Sequence, residues 1–258
     1  MTAMAPISLT NQQHLVMHDV SWDFYSRVLE AIGDGALRVT FNDGSIEIYS
    51  PGSPIDPQHL VLEDVSWDFY TRVLEEIGDG AMRVTFDDGR IEIMSPLPEH
   101  EGAKTAIARL LEAMADELDL TLHGFGSATF RRKDRQKGLE PDECYYLKNE
   151  DKVRGMERFD SAIYPAPDLA IEIDVFGRSI SREPIYAQLG VPELWRYNNG
   201  TISVKLLQPD MTYLGVSQSP AFPFLPIADF ERFIPRMKLE RQTTVAREFR
   251  QWVKSLPR

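Results

Sequence analysis

The sequence predicts a mixed α/β fold, a central sheet flanked by helices, and three observations carry that reading. Alternating apolar and polar runs recur along the chain, two pairs of them joined by the hairpin turns Asp88-Gly89 and Asn199-Gly200. A long stretch after Pro98 sets Ala103, Ile107, Leu110, Leu111, Met114 and Leu118 at helical spacing. The N-terminal third also repeats itself. "HLVMHDVSWDFYSRVLEAIGDGALRVTFNDGSIEIYSP" from His14 returns as "HLVLEDVSWDFYTRVLEEIGDGAMRVTFDDGRIEIMSP" from His59.

The repeated unit reads as a helix and a hairpin. In the second copy Ser66 is placed to cap a helix that carries Phe69, Val73, Leu74 and Ile77 on one face, and Gly78 stops it. One such unit buries too little to stand alone, and two copies are too few for a solenoid. The second copy runs on into the long helix, whereas the first ends in the Pro-rich "GSPIDPQ". The expected organisation is a duplicated helix-hairpin extension and linker over residues 1–55, a catalytic-type domain over 56–215 and a C-terminal extension over 216–258.

The first turn of the long helix holds Glu99, His100 and Glu101. Acids there are favoured by the helix dipole whatever the function. Three strand-like runs follow, "LTLHGFGSATFRRK", "GLEPDECYYLK" and "PDLAIEIDVF", with the polar "NEDKVRGMERFDSAIYPA" expected as a surface loop before the third. "ISREPIYAQLG" reads as a short helix, "ELWRYNNGTISVKLLQP" as a hairpin and "TTVAREFRQWVKSL" as a basic amphipathic helix. Trp22, Trp67 and Trp195 are expected in the core.

Bulk composition narrows the function classes. A net charge of -12 disfavours nonspecific nucleic-acid binding, so any such reading needs a local basic patch. The single cysteine, Cys144, excludes an internal disulfide and zinc sites with several thiolates. With no signal-like start and no apolar run of about 18 residues, a cytoplasmic protein without membrane attachment is expected. "GFGSAT" lacks the third glycine of a dinucleotide fingerprint, and the five histidines show no ligand spacing.

One stretch asks for chemistry. Read as a strand, "YPAPDLAIEID" points Leu169, Ile171 and Ile173 to one face and Asp168, Glu172 and Asp174 to the other. A solvated acidic face would explain this, and so would a cation site. Pro141-Asp142 and Pro167-Asp168 each open a strand. If those strands are neighbours, about 4.8 Å apart, Asp142 and Glu172 can converge on one small ion.

"GRIEIMSPLPEHE", "GLEPDECYYL", "PDLAIEID" and "IYAQLGVPELWRY", over roughly residues 60–215, resemble the PD-(D/E)XK nuclease superfamily. Within it, the resemblance is to the Uma-two family of restriction-endonuclease-like proteins, of the kind abundant in cyanobacteria. It implies a restriction-endonuclease-like core and a metal-dependent endonuclease that hydrolyses DNA. It implies magnesium, or manganese, on Asp142 and Glu172, with Glu101 rather than Glu99 as the acid of the first long helix. Homodimerisation is also implied, and the duplicated unit offers surface for it.

The sequence departs from the motif at Asp174, which stands two residues after Glu172 where the superfamily has lysine. Arg182, four residues before Tyr186, takes the position at which the family often carries a lysine instead. Arginine can offset charge in a phosphoryl transition state but is too basic to take a proton from water. Asp174 either recruits a second ion or crowds the site with negative charge. "FRRKDRQKG" supplies Arg131, Arg132, Lys133, Arg135 and Lys137 for nucleic acid, unless it is a solvated turn. Two alternatives stay open. The first is a catalytically inactive nuclease-fold binding or assembly module, and the second is a hydrolase using the paired carboxylates as acid and base.

Overall fold

Ser66 and Gly78 bound a helix as the sequence requires. The amide of Phe69 donates to Ser66 Oγ at 3.1 Å, and Gly78, at φ 54°, returns its N–H to the Leu74 carbonyl at 3.0 Å. The computed structural model describes residues 14–18, 20–32, 37–49, 58–78, 82–95, 98–174 and 180–257. Within these the first repeat copy forms β1 (His14–Met17), α1 (Trp22–Ile32), β2 (Arg38–Asn42) and β3 (Ser45–Tyr49). The second forms β4 (Gln58–Leu62), α2 (Trp67–Ile77), β5 (Arg83–Asp87) and β6 (Arg90–Met94). Asp88 and Gly89 turn the second hairpin at φ 45° and 86°, the positive pair that a tight two-residue turn needs. The leading strands β1 and β4 are additions to the expected helix and hairpin.

The chain continues with α3 (Pro98–Leu118), β7 (His123–Gly124), β8 (Phe130–Arg132) and β9 (Lys137–Leu139). Then come β10 (Glu143–Tyr146), α4 (Glu150–Val153), β11 (Leu169–Ile173), α5 (Glu183–Leu189), β12 (Glu193–Asn198), β13 (Thr201–Leu207) and β14 (Tyr213–Val216). Three helices close it, α6 (Ile227–Glu231), α7 (Phe233–Leu239) and α8 (Gln242–Lys254). Two compact units result, residues 1–96 with 132–139 and residues 97–131 with 140–258.

The first unit is built on an eight-stranded sheet in the order β2-β3-β1-β4-β6-β5-β9-β8. One apolar cluster runs through both repeat copies, from Leu15, Val28 and Ile46 to Leu60, Tyr70, Val84 and Phe86. Of the tryptophans expected in the core, Trp195 is buried, Trp67 is only partly buried and Trp22 departs altogether. It is 64% exposed, because no strand lies outside β2 among the described residues to cover it.

The second unit holds a six-stranded sheet in the order β14-β13-β12-β11-β10-β7. β11 runs antiparallel to β10 and parallel to β12, and all five of its residues are buried. A strand covered on both faces cannot present a solvated acidic side, so that reading of "PDLAIEID" is set aside. Ile107 and Leu111 of α3 pack with Trp195, Phe230, Phe249 and Val253 in one core, to which the C-terminal helices therefore contribute. β14, α6 and α7 were not foreseen. "LTLHGFGSATFRRK" yields only the short β7 and β8, and the expected surface loop contains α4. No helix among the described residues is long and apolar enough to cross a membrane.

Candidate active site

The β10–β11 ladder, with Glu143 opposite Ile171, brings Asp142 alongside the end of β11. The amide of Ile173 donates to Asp142 Oδ2 at 2.7 Å, and Asp142 has no exposed surface. His100 Nε2 lies 3.1 Å from the same oxygen, so the first turn of α3 reaches this strand pair. The other ring nitrogen of His100 is 3.4 Å from Glu101 Oε1, and Glu101 in turn is 3.8 Å from Lys104. A chain of side chains thus leads from buried Asp142 to partly exposed Glu101.

Glu172 is held from two sides. Arg182 Nη1 donates to Glu172 Oε2 at 2.8 Å, and the Tyr186 hydroxyl donates to Oε1. The second amino group of Arg182 donates to the Glu140 carbonyl, and its guanidinium lies 5.9 Å from the Tyr186 ring centroid. Burial, reinforced by the Glu172 charge, drives the Tyr186 hydroxyl well above the usual phenol range and keeps it a donor. Arg182 is the N-cap residue of α5 and Tyr186 lies within it, one helical turn on and on the same face.

The three acids of "PDLAIEID" separate. Asp168 Oδ2 accepts from the amides of Leu147, Lys148 and Asn149 at 2.8, 2.9 and 3.0 Å and so fixes the turn before α4. Asp174 pairs with Arg196 at 2.6 Å, and Arg196 also reaches Glu183 at 2.7 Å. Although burial acts in the opposite sense, hydrogen bonds from Lys205 and Arg196 hold the Glu183 carboxyl below its ordinary value. Glu172, Asp174, Arg182, Glu183 and Arg196 line one cavity of about 220 Å³. It is a small site of alternating charge.

Glu143, beside Asp142, lies 3.9 Å from Lys104, and burial pushes its carboxyl up to about 7. Cys144 is buried, and burial raises its thiol far above the ordinary value, which makes it an inert packing group. Of the basic residues, Arg132 pairs with Asp134 at 2.6 Å, and Arg135 lies 3.6 Å from the same carboxylate. Lys137 pairs with Asp87 and, at 2.8 Å, with Asp88. Much of that charge is already matched by carboxylates.

Among the described residues no group of three or more His, Cys, Asp and Glu side chains is disposed to hold a metal ion. Asp142 and Glu172 fit magnesium in kind and number, being oxygen donors of which one or two suffice. Arg182 stands against it, because its guanidinium already supplies the positive charge at Glu172. His100, Tyr186 and Glu140 are the site residues that sequence reasoning missed. Only the position of Tyr186 four residues after Arg182 offered a signal.

A family model, Uma2, described as "Putative restriction endonuclease", matches residues 67–240. A solved structure of "a putative nuclease belonging to DUF820 from Anabaena variabilis ATCC 29413" is similar at 15% identity and a TM-score of 0.41, covering 58% of this chain and 90% of that one. No curated protein is similar enough to match the chain.

Proposed function

The chain belongs to the Uma2 family, described as putative restriction endonucleases, and from that premise we propose that it hydrolyses DNA phosphodiester bonds at the cavity beside β11. The observation that carries this is the cavity of about 220 Å³ in which Glu172 and Asp174 face Arg182 and Arg196. In this reading an incoming phosphate draws the Arg182 guanidinium from Glu172, since bidentate arginine-phosphate pairs are among the stronger hydrogen-bonded contacts. Arg182 then offsets the charge that develops in the transition state. Asp142, fixed by Ile173 and His100, and the released Glu172 would hold magnesium or manganese. Such an ion, when bound, polarises a phosphate and lowers the pKa of its water. Glu101 lies on the exposed side of His100.

A second reading has its own observation. Glu172 is occupied by Arg182 and Tyr186 and Asp174 by Arg196, which supports reading the chain as a non-catalytic binding module on the same fold. Plasmid nicking separates the two, with wild type, Asp142→Ala and Glu172→Ala assayed in magnesium, manganese and chelator. The nuclease reading expects nicking that needs the ion and disappears in both variants. Wild type that leaves the plasmid intact in every condition selects the binding module.

A further inference from the structure

Among the described residues the first repeat copy ends its sheet, and the second copy shows what such an edge receives. β5, the equivalent of β2, is paired on its outer side with β9, which sets Gly138 opposite Phe86 and Lys137 opposite Asp87. Tyr70 stacks on Phe86 with ring centroids 4.9 Å apart and an interplanar angle of 18°. Its hydroxyl overhangs Gly138 so closely that a β-carbon there would collide. The Lys137 ammonium is clasped by Asp87 and Asp88. Under this cover Tyr70 and Phe86 are buried.

β2 repeats the same features 45 residues earlier in the sequence. Phe41, Asn42 and Asp43 stand for Phe86, Asp87 and Asp88, and Trp22 and Tyr25 for Trp67 and Tyr70. The tryptophan–phenylalanine edge contact is kept. Trp22 meets Phe41 edge-on at 5.2 Å and 87°, as Trp67 meets Phe86 at 5.5 Å and 85°. Tyr25 lies 5.2 Å from Phe41. Yet β2 pairs only with β3 among the described residues, and Trp22 is left 64% exposed. The outward amides and carbonyls of such an edge are a template for another strand.

We propose that the β2 edge accepts an extended peptide segment of the Lys-Gly type, laid antiparallel to β2 with its glycine opposite Phe41 beneath Tyr25 and its basic residue toward Asp43. Glycine follows from the ring of Tyr25, which lies against Phe41 at 5.2 Å and 36°, more tilted than the stack of the equivalent Tyr70 on Phe86. The basic residue follows from Asp43, and Asn42 in place of Asp87 makes the clasp weaker than its twin. A second copy pairing β2 with β2 fits less well, because β2 contains no glycine to pass under Tyr25.

The probe is a fluorescein-labelled peptide RKDRQKGLE, the sequence of residues 132–140 that carries β9, titrated into the full chain by anisotropy. Saturable binding is expected, weakened at least about tenfold in Phe41→Asp and weakened when the peptide's glycine is replaced by valine. Trp22→Ser, at an exposed ring, gives a second variant that leaves folding intact and should also weaken binding. Absent binding, or equal binding by Phe41→Asp or by the valine peptide, overturns the proposal. Self-association of the wild type that Phe41→Asp abolishes would assign the edge to a second copy and overturn it as well.

Discussion

Arg182 and Glu172 form an ion pair at 2.8 Å in which the two side chains are only 4% and 5% exposed. A buried pair of this kind is weak evidence of net stability, but removing one partner strands the other charge in a poor solvent. Arg182→Ala is therefore expected to lower unfolding free energy by about 3–5 kcal/mol in urea titrations. The double variant Arg182→Met with Glu172→Gln should recover most of that loss. Equal losses in the single and double variants would show that packing of the long side chain, not charge, sets the cost.

The same pair predicts how the site treats cations. A divalent ion and the Arg182 guanidinium compete for Glu172, so Arg182→Gln should bind manganese at least about tenfold more tightly than wild type by calorimetry, a difference of about 1.4 kcal/mol. Glu172→Gln should abolish the gain. Wild type binding as tightly as Arg182→Gln would mean that the guanidinium is no obstacle.

Which of these features could be read beforehand follows from their range along the chain. Ser66, Gly78 and Asp88-Gly89 act on neighbours within a few residues, and their caps and turns came out as read. Asp142 could be read because Pro141 precedes it at the start of a strand, and Glu172 because it falls on the alternating run that Pro167-Asp168 opens. The burial of β11 was not legible, because it depends on pairing with β10 on one side and β12 on the other. Nor was the contact of His100 with Asp142, which spans 42 residues and arises from the placement of α3. Trp22 shows the same limit from the other side. Trp67 at the same place in the second copy is partly buried, whereas Trp22 is 64% exposed, and among the described residues no strand lies outside β2.

Glu143 supplies a pH test. Burial raises its folded-state carboxyl from 4.5 to about 7, with Lys104 opposing the shift. The folded chain therefore holds a proton that the unfolded chain releases, and stability falls as pH rises from about 4.5 through 7. Glu143→Gln should match wild type near pH 4.5 and exceed it above pH 7, by about 3 kcal/mol at most. Melting curves at both pH values check this. A variant less stable than wild type at pH 8 would mean that attraction to Lys104 outweighs the burial cost.

The repeat predicts how the chain tolerates shortening. Each hairpin is joined by five registered pairs, β2 to β3 and β5 to β6, whereas β1 meets β4 through only two, His14 with His59 and Leu15 with Gln58. The seam between copies is thus a shorter ladder than either hairpin. Leu60, Tyr70, Val84 and Phe86 of the second copy belong to the same cluster as Leu15, Val28 and Ile46 of the first, and they are expected to keep packing on one another without them. A chain beginning at Asp56 is expected to unfold in one cooperative transition, at a lower midpoint because apolar surface once covered by the first copy faces water. Its exposed β4 edge should also make it more prone to associate. Circular dichroism melts across a range of concentrations distinguish these effects. A shortened chain with no cooperative transition would show that the first copy completes the core.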